Sequence, residues 1–356
     1  MINCRLVFSI CINLLIIKYM GTETSPCFFG VSNNSSIFEV SYELTNICNL
    51  RCLHCLNNSG NEDPEALSTG EIFKLIDDLK KINVTKIYLT GGEPSLHPDF
   101  DAIATYIKSK NIEIALASNG MDIANKISII KKTVSNVSVS MDGIGETHDK
   151  FRNTQGSFDN LINSISLLRN NGVKVRISSM IWKENIGQLE QMIVLAKKMG
   201  VYRIHFSMLV SAGRAADNIN KIALADDDYG TVIKQIHKLI EKYSGEDILV
   251  SVIRDKRIDC ESNSCYGGER ILHINTKGYI FPCSWVTKCS LANEYGSKWV
   301  AGNIDSCFKK SNLLQSLVKK RKSILDACGC PAMASHYYND PLANDPLNKL
   351  LKNYHE

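Results

Sequence analysis

Between residues 38 and 243 the sequence alternates between strand-like and helix-like periodicity, and that alternation restricts the fold more than any other feature. Short apolar or alternating runs predict strands at 38–44, 86–90, 112–118, 134–141, 173–180 and 202–208. Helical spacing predicts helices at 100–110, 121–132, 158–170, 187–199 and 228–243. A further helix is expected after Ser68 and Glu71, which stand in capping-box order ahead of Ile72, Leu75, Ile76 and Leu79. Strands separated by helices pair in parallel through right-handed crossovers. The expected fold is therefore α/β, a partial (β/α)6 barrel of the TIM type. Such barrels gather their chemistry at the C-terminal ends of the strands.

The first predicted strand runs into Cys48, Cys52 and Cys55, spaced by four and three residues. Thiolates ligate iron–sulfur cubes, and three of them would leave the fourth iron open to a substrate or cofactor. Two other readings fit the same loop: a zinc knuckle with His54 as fourth ligand, or plain buried thiols. The second strand ends in Gly91-Gly92-Glu93-Pro94. Its glycines permit a tight turn close to a ligand, and Glu93 is placed to accept hydrogen bonds from an ammonium group; a simple βα turn is the alternative. The third ends in Ser118-Asn119-Gly120, suited to a sugar hydroxyl or to capping the next helix. The fourth ends in Ser138, Ser140, Asp142 and Gly143, followed by His148, Asp149 and Arg152. Arg152 can fork onto a ligand carboxylate or pair with Asp149 at the surface. Each signal is weak alone; at successive strand ends they reinforce one another.

Cysteine usage bears on the compartment. Of the 13 cysteines in 356 residues, most crowd into 48–55 and 260–330. A secreted disulfide framework would spread them through a small domain, so metal ligation in a reducing compartment, the cytoplasm, is expected. A formal charge of +4, with both signs interspersed, gives no case for a nucleic-acid partner. The apolar run at 6–17, between Arg5 and Lys18, falls short of the roughly 20 residues that span a bilayer. A signal-peptide core, or translation starting at Met20, are its other readings, and 1–36 is treated as an N-terminal extension. Cys4, Cys11 and Cys27 are taken as unrelated thiols.

Beyond the barrel, 248–253 is a candidate further strand, and the cysteines at 260, 265, 283, 289, 307, 328 and 330 follow. Two β-rich runs about Lys277-Gly278 predict a hairpin, with Cys265 before it and Cys283 after it. A helix at 313–325 precedes Cys328-Gly329-Cys330. Four thiolates of this kind also suit zinc.

The Cys-x3-Cys-x2-Cys spacing, the Gly-Gly-Glu-Pro turn, the Ser-x-Asp-Gly strand end and the His-Asp-x-x-Arg turn occur in this order between Phe38 and Arg214. Together they resemble the radical S-adenosylmethionine superfamily. The resemblance implies a [4Fe–4S] cluster on Cys48, Cys52 and Cys55 and S-adenosylmethionine (SAM) on its open iron. It places Glu93, within the Gly91-Gly92 turn, at the cofactor's amino group. Ser118 and Asn119 would lie near its ribose, Ser140 near its methionine end and Arg152 near its carboxylate. The hairpin and the closing cysteine pair resemble the SPASM/twitch extension, implying an auxiliary [4Fe–4S] cluster on Cys265, Cys283, Cys328 and Cys330, with Cys260 or Cys307 as substitutes. No Cys-x2-Cys-x5-Cys-x3-Cys run is present, and Leu347 and Asn348 stand where some relatives place a cysteine, so the one-cluster twitch version fits better. The closing pair is Cys-x-Cys where many relatives have Cys-x2-Cys.

The expected division is an extension at 1–36, a barrel at 37–245, an auxiliary-cluster domain at 246–340 and a tail at 341–356. The implied activity is reductive cleavage of SAM to a 5′-deoxyadenosyl radical that takes hydrogen from a peptide or protein. A small-molecule radical dehydrogenase and a non-catalytic iron–sulfur or zinc scaffold are the alternatives. Flavodoxin or ferredoxin would supply electrons. A separate peptide-recognition protein is a further expected partner, because 36 residues are too few for a leader-binding domain. No general base is assigned.

Overall fold

The computed structural model describes residues 39–225, 228–243, 247–252, 271–281, 283–284, 287, 296–302 and 304. The chain divides into two units, Met1–Asn33 and Asn34–Glu356, and every described residue belongs to the second. The 1–36 extension, the helix at 313–325, the tail and the cysteines at 260, 265, 289, 307, 328 and 330 lie outside the described residues.

The expected alternation is present. Its first half runs β1 (Glu39–Thr45), α1 (Thr69–Lys81), β2 (Lys86–Gly91), α2 (Phe100–Ser109), β3 (Glu113–Ser118), α3 (Ile123–Thr133) and β4 (Val134–Ser140). Then come α4 (Glu146–Arg152), α5 (Ser157–Asn170), β5 (Lys174–Ile181), α6 (Leu189–Lys198), β6 (Arg203–Met208), α7 (Arg214–Ile222), α8 (Asp228–Tyr243) and β7 (Leu249–Val252). The Ser68 hydroxyl accepts from Glu71 N while the Glu71 carboxylate accepts from Ser68 N, so the capping box forms as read.

With β8 (Ile271–Ile274), β9 (Tyr279–Phe281) and β10 (Ser297–Lys298), the strands among the described residues form one ten-stranded sheet in the order β10-β9-β8-β1-β2-β3-β4-β5-β6-β7. From β8 across to β7 every neighbour is parallel, and the sheet stays open with β7 at one edge, a partial barrel. The further strand and the hairpin, both expected, join the same sheet. The run near 250 is β7, paired with β6. The hairpin, β8 and β9, lays β8 parallel against β1, and β10 extends it. Pairing on both flanks covers backbone groups that an edge strand would expose.

Alternation along the strands separates two faces. Val137 and Val139, Ile204 and Phe206, and Ile87 and Leu89 are buried in the main core with Leu75, Phe100 and Ile165 of the helices. Their neighbours Ser138, Tyr88, Arg176 and His205 take the opposite face, inside the barrel. A fully packed parallel sheet reads as continuous apolar runs; here only the outer face does.

Helices α4 and α7 were not expected. The first is seven residues long and begins after Gly145. The second marks its apolar face with little beyond Ala215, Ile219 and Ile222. Both are shorter than the stretch of about 11–18 residues over which periodicity is read.

Candidate active site at the C-terminal strand ends

The stem of the cysteine loop is pinned by backbone. Cys48 N donates to Gly60 O at 3.1 Å and Gly60 N to Asn46 O at 2.8 Å. Gly92 N donates to Thr45 O at 2.7 Å and Glu93 N to Ile47 O at 2.8 Å. Gly91 adopts φ 127°, and a Cβ there would collide with Thr45 O; one at Gly92 would collide with Ile47 O. The close approach that requires these glycines is therefore between the turn and the loop stem.

Hydrogen-bond donors reach two of the three sulfurs. Leu50 N lies 3.5 Å and Asn119 Nδ2 3.8 Å from Cys48 Sγ, and Arg152 Nη1 lies 3.7 Å from Cys52 Sγ. Burial pushes the Cys48 thiol up to about 11 and raises that of Cys52 despite the neighbouring Arg152. Ligation would deprotonate both. His54 stacks on Phe151 at 4.3 Å, its ring 9° from parallel, and burial holds it neutral. No three His, Cys, Asp or Glu side chains among the described residues gather tightly enough for a single ion. A cube asks each thiolate to reach a different iron and needs no such convergence.

Glu93 is fully buried. Its Oε1 accepts from Ser95 Oγ at 2.8 Å and its Oε2 from Asn119 N at 2.7 Å, and the Ser118 side chain bonds to it as well. Burial raises its pKa against these neutral donors. A carboxylate enclosed in this way suits an ammonium partner. Asn119 does more than cap: its Nδ2 donates to Asn49 Oδ1 at 2.8 Å and its Oδ1 accepts from Met121 N at 2.9 Å. It thereby ties the end of β3 to the cysteine loop.

Arg152 does not pair with Asp149, the surface partner expected of it. It is buried and forms an ion pair with Asp142; burial opposes its charge, but Asp142 and Cys52 together hold the guanidinium protonated. Asp149 instead accepts from Gly156 N, Ser157 Oγ and Phe158 N at the start of α5, at 2.7–2.8 Å. Asp142 is further braced: its Oδ1 accepts from Met180 N at 2.6 Å and its carbonyl from Trp182 Nε1 at 2.8 Å. Ser140 stands partly exposed at the end of β4, in register with Ser178 of β5. Cys283 follows β9 and is partly exposed.

Glu93, Asn119 and Cys48 thus form one hydrogen-bonded group at the mouth, and Cys52, Arg152 and Asp142 a second, the two joined through the cysteine loop. Sequence reasoning missed Asp142 as a partner, although it stands within the Ser-x-Asp-Gly motif. It also missed Asn49 and Arg214. Arg214 binds main-chain carbonyls, which leave no trace in residue type.

Residues 42–196 match the profile of the Radical SAM superfamily. That stretch is a Radical SAM superfamily domain. The enzyme is 27% identical over 268 residues to an AdoMet-dependent heme synthase of Methanosarcina barkeri, covering 69% of this chain and 76% of the relative. It is 27% identical over 304 residues to the mycofactocin maturase MftC of Mycobacterium tuberculosis, covering 82% and 74%. Its fold is shared with anSMEcpe solved with bound AdoMet and Kp18Cys peptide, at TM-score 0.70 and 16% identity over 90% of this chain and 96% of that one. The superfamily uses a [4Fe–4S] cluster and SAM, and the site fits both: thiols with sulfur-directed donors, and a buried carboxylate whose bonded partners are neutral. No helix among the described residues is long and apolar enough to cross a membrane.

Proposed function

We propose that the enzyme modifies a peptide or protein by hydrogen abstraction at the barrel mouth. Cys48, Cys52 and Cys55 would hold the cluster, with SAM on its open iron. When bound, these groups supply reductive carbon–sulfur cleavage and a 5′-deoxyadenosyl radical. The chain's own part is orientation and exclusion of water. Glu93 receives the amino group, for which its buried and neutrally bonded carboxylate is the supporting observation. Gly91 and Gly92 keep that turn against the loop stem. Ser118 and Asn119 present polar groups towards the ribose, and Ser140 stands at the methionine end. Arg152 keeps Cys52 and Asp142 in place and turns its remaining donors towards the cofactor carboxylate.

A peptide substrate draws support from the likeness to MftC and from fold neighbours solved with peptides, anSMEcpe and the Streptococcus suis protein SuiB with its precursor peptide SuiA. A small-molecule substrate is the second reading, favoured by the heme synthase relative. Cys265, Cys283, Cys328 and Cys330 are proposed to hold an auxiliary cluster in a C-terminal unit. The cytoplasm, with a flavodoxin or ferredoxin donor, is the proposed setting.

The test is anaerobic reconstitution, reduction and assay of 5′-deoxyadenosine. Release in the parent and none after Cys52→Ala supports the reading; intact clusters without cleavage would overturn it. Mass analysis of peptides incubated with the reduced enzyme separates the substrate classes, since a peptide target must change mass.

A further inference from the structure

The cysteine loop needs a second support besides its stem, and the connection after β6 provides it. Main-chain carbonyls of a buried turn must find donors. Arg214 supplies three: its Nε donates to Cys52 O, its Nη1 to Ser59 O and its own N–H to Cys55 O, each at 2.9 Å. One turn along α7, Asn218 Nδ2 donates to Leu53 O at 3.3 Å. The preceding residue, Gly213, has φ 58°, and any Cβ there would run into the carbonyl oxygens of Cys55 and Leu56. The same helix buries Ala215 and Ile222 in a small separate core with Phe151 and Trp182, against which Leu53 packs. This segment lies about 160 residues along the chain from the loop it holds.

We propose that Arg214 is a positioning residue for the iron–sulfur cluster. Its fork bridges the carbonyls of Cys52 and Ser59 while its backbone N–H holds that of Cys55, and together these bonds set how far apart the Cys52 and Cys55 thiolates stand. A guanidinium suits the task because its planar fork can serve two acceptors at once and carries no lone pair that competes for iron. A lysine would keep the charge and lose the bridge. The charge has its own consequence, because a fixed cation beside a cysteine ligand favours the more reduced, more negative cluster.

This rests on the reading that Cys48, Cys52 and Cys55 hold a cluster. The test compares anaerobically reconstituted full-length parent, Arg214→Gln, Arg214→Lys and Asn218→Ala. It measures iron loss to a ferrous chelator and the midpoint potential by electron paramagnetic resonance. Arg214→Gln is expected to lose iron about tenfold faster, as removal of charge-assisted bonds to a buried loop implies, and to titrate at a lower potential. Arg214→Lys should also lose iron faster while keeping a potential near the parent's. Asn218→Ala should show a smaller acceleration. Parental iron retention in both Arg214 variants overturns the assignment. If Arg214→Gln does not fold, the rates of Arg214→Lys and Asn218→Ala decide it by the same criterion. A parent that takes up no iron would refute the cluster reading instead.

Discussion

The helix-covered outside of the barrel and its C-terminal mouth obey different rules. Outside, local signals and tertiary contacts agree. Ser68 caps α1, Leu75 and Leu79 are buried in the core, and Leu89 and Phe206 of the sheet belong to that same core. At the mouth, residues stand in conformations and surroundings that folding alone would avoid. Gly91 is held at φ 127°, Glu93 is a fully buried carboxylate, and Arg152 and Asp142 form an ion pair out of water. Sequences violate local rules where a function requires it, so the contrast marks the mouth as the working surface.

The sharpest way to break the contrast is Cys52→Ala, which should abolish 5′-deoxyadenosine formation while the thermal transition remains close to the parent's. A collapsed fold in that variant would mean that the mouth is structural. Next comes Leu75→Ala on the outside. It should cost about 2–5 kcal/mol in denaturant unfolding, the usual range for truncating a fully buried leucine. Glu93→Gln keeps the shape and removes the charge, and SAM binding by calorimetry should weaken by roughly 10–100-fold, as loss of a charge-assisted bond implies. Ser68→Ala should cost only about 1 kcal/mol, the value of a helix cap.

A pH series refines the same contrast on the inner face. Burial pushes His205 down from 6.5 to about 3, with Arg203 and Arg176 adding to the effect. The unfolded chain then binds a proton that the folded chain refuses between those two values. Stability should fall as pH drops from about 6.5 towards 3, and His205→Gln should flatten that slope in acid unfolding curves.

Much of the outside was legible because it depends on near neighbours in the chain. The boundaries of β2, β5 and α8 lie within a residue or two of those read from periodicity, since spacing and capping act over one or two turns. The mouth was legible only in part. Cys48, Cys52 and Cys55 announced themselves by spacing, and Glu93 by its glycine turn. The partner of Arg152 was not foreseen, because Asp149 is nearer in sequence whereas Asp142 is the one the fold brings beneath it. The hairpin was foreseen, but its seat against β1 was not, because register between distant strands has no local signature.

By itself, then, the order of residues determined the alternation of strands and helices, the cysteine spacing and the placement of polar groups at successive strand ends. Each depends on interactions within a few residues. Only the tertiary structure decided that β8 completes the flank of β1, that Asp142 neutralises Arg152, and that Arg214 reaches back to the cysteine loop. Those choices depend on which distant backbone and side-chain groups the closed packing leaves without water, and that is settled only when the whole sheet has assembled.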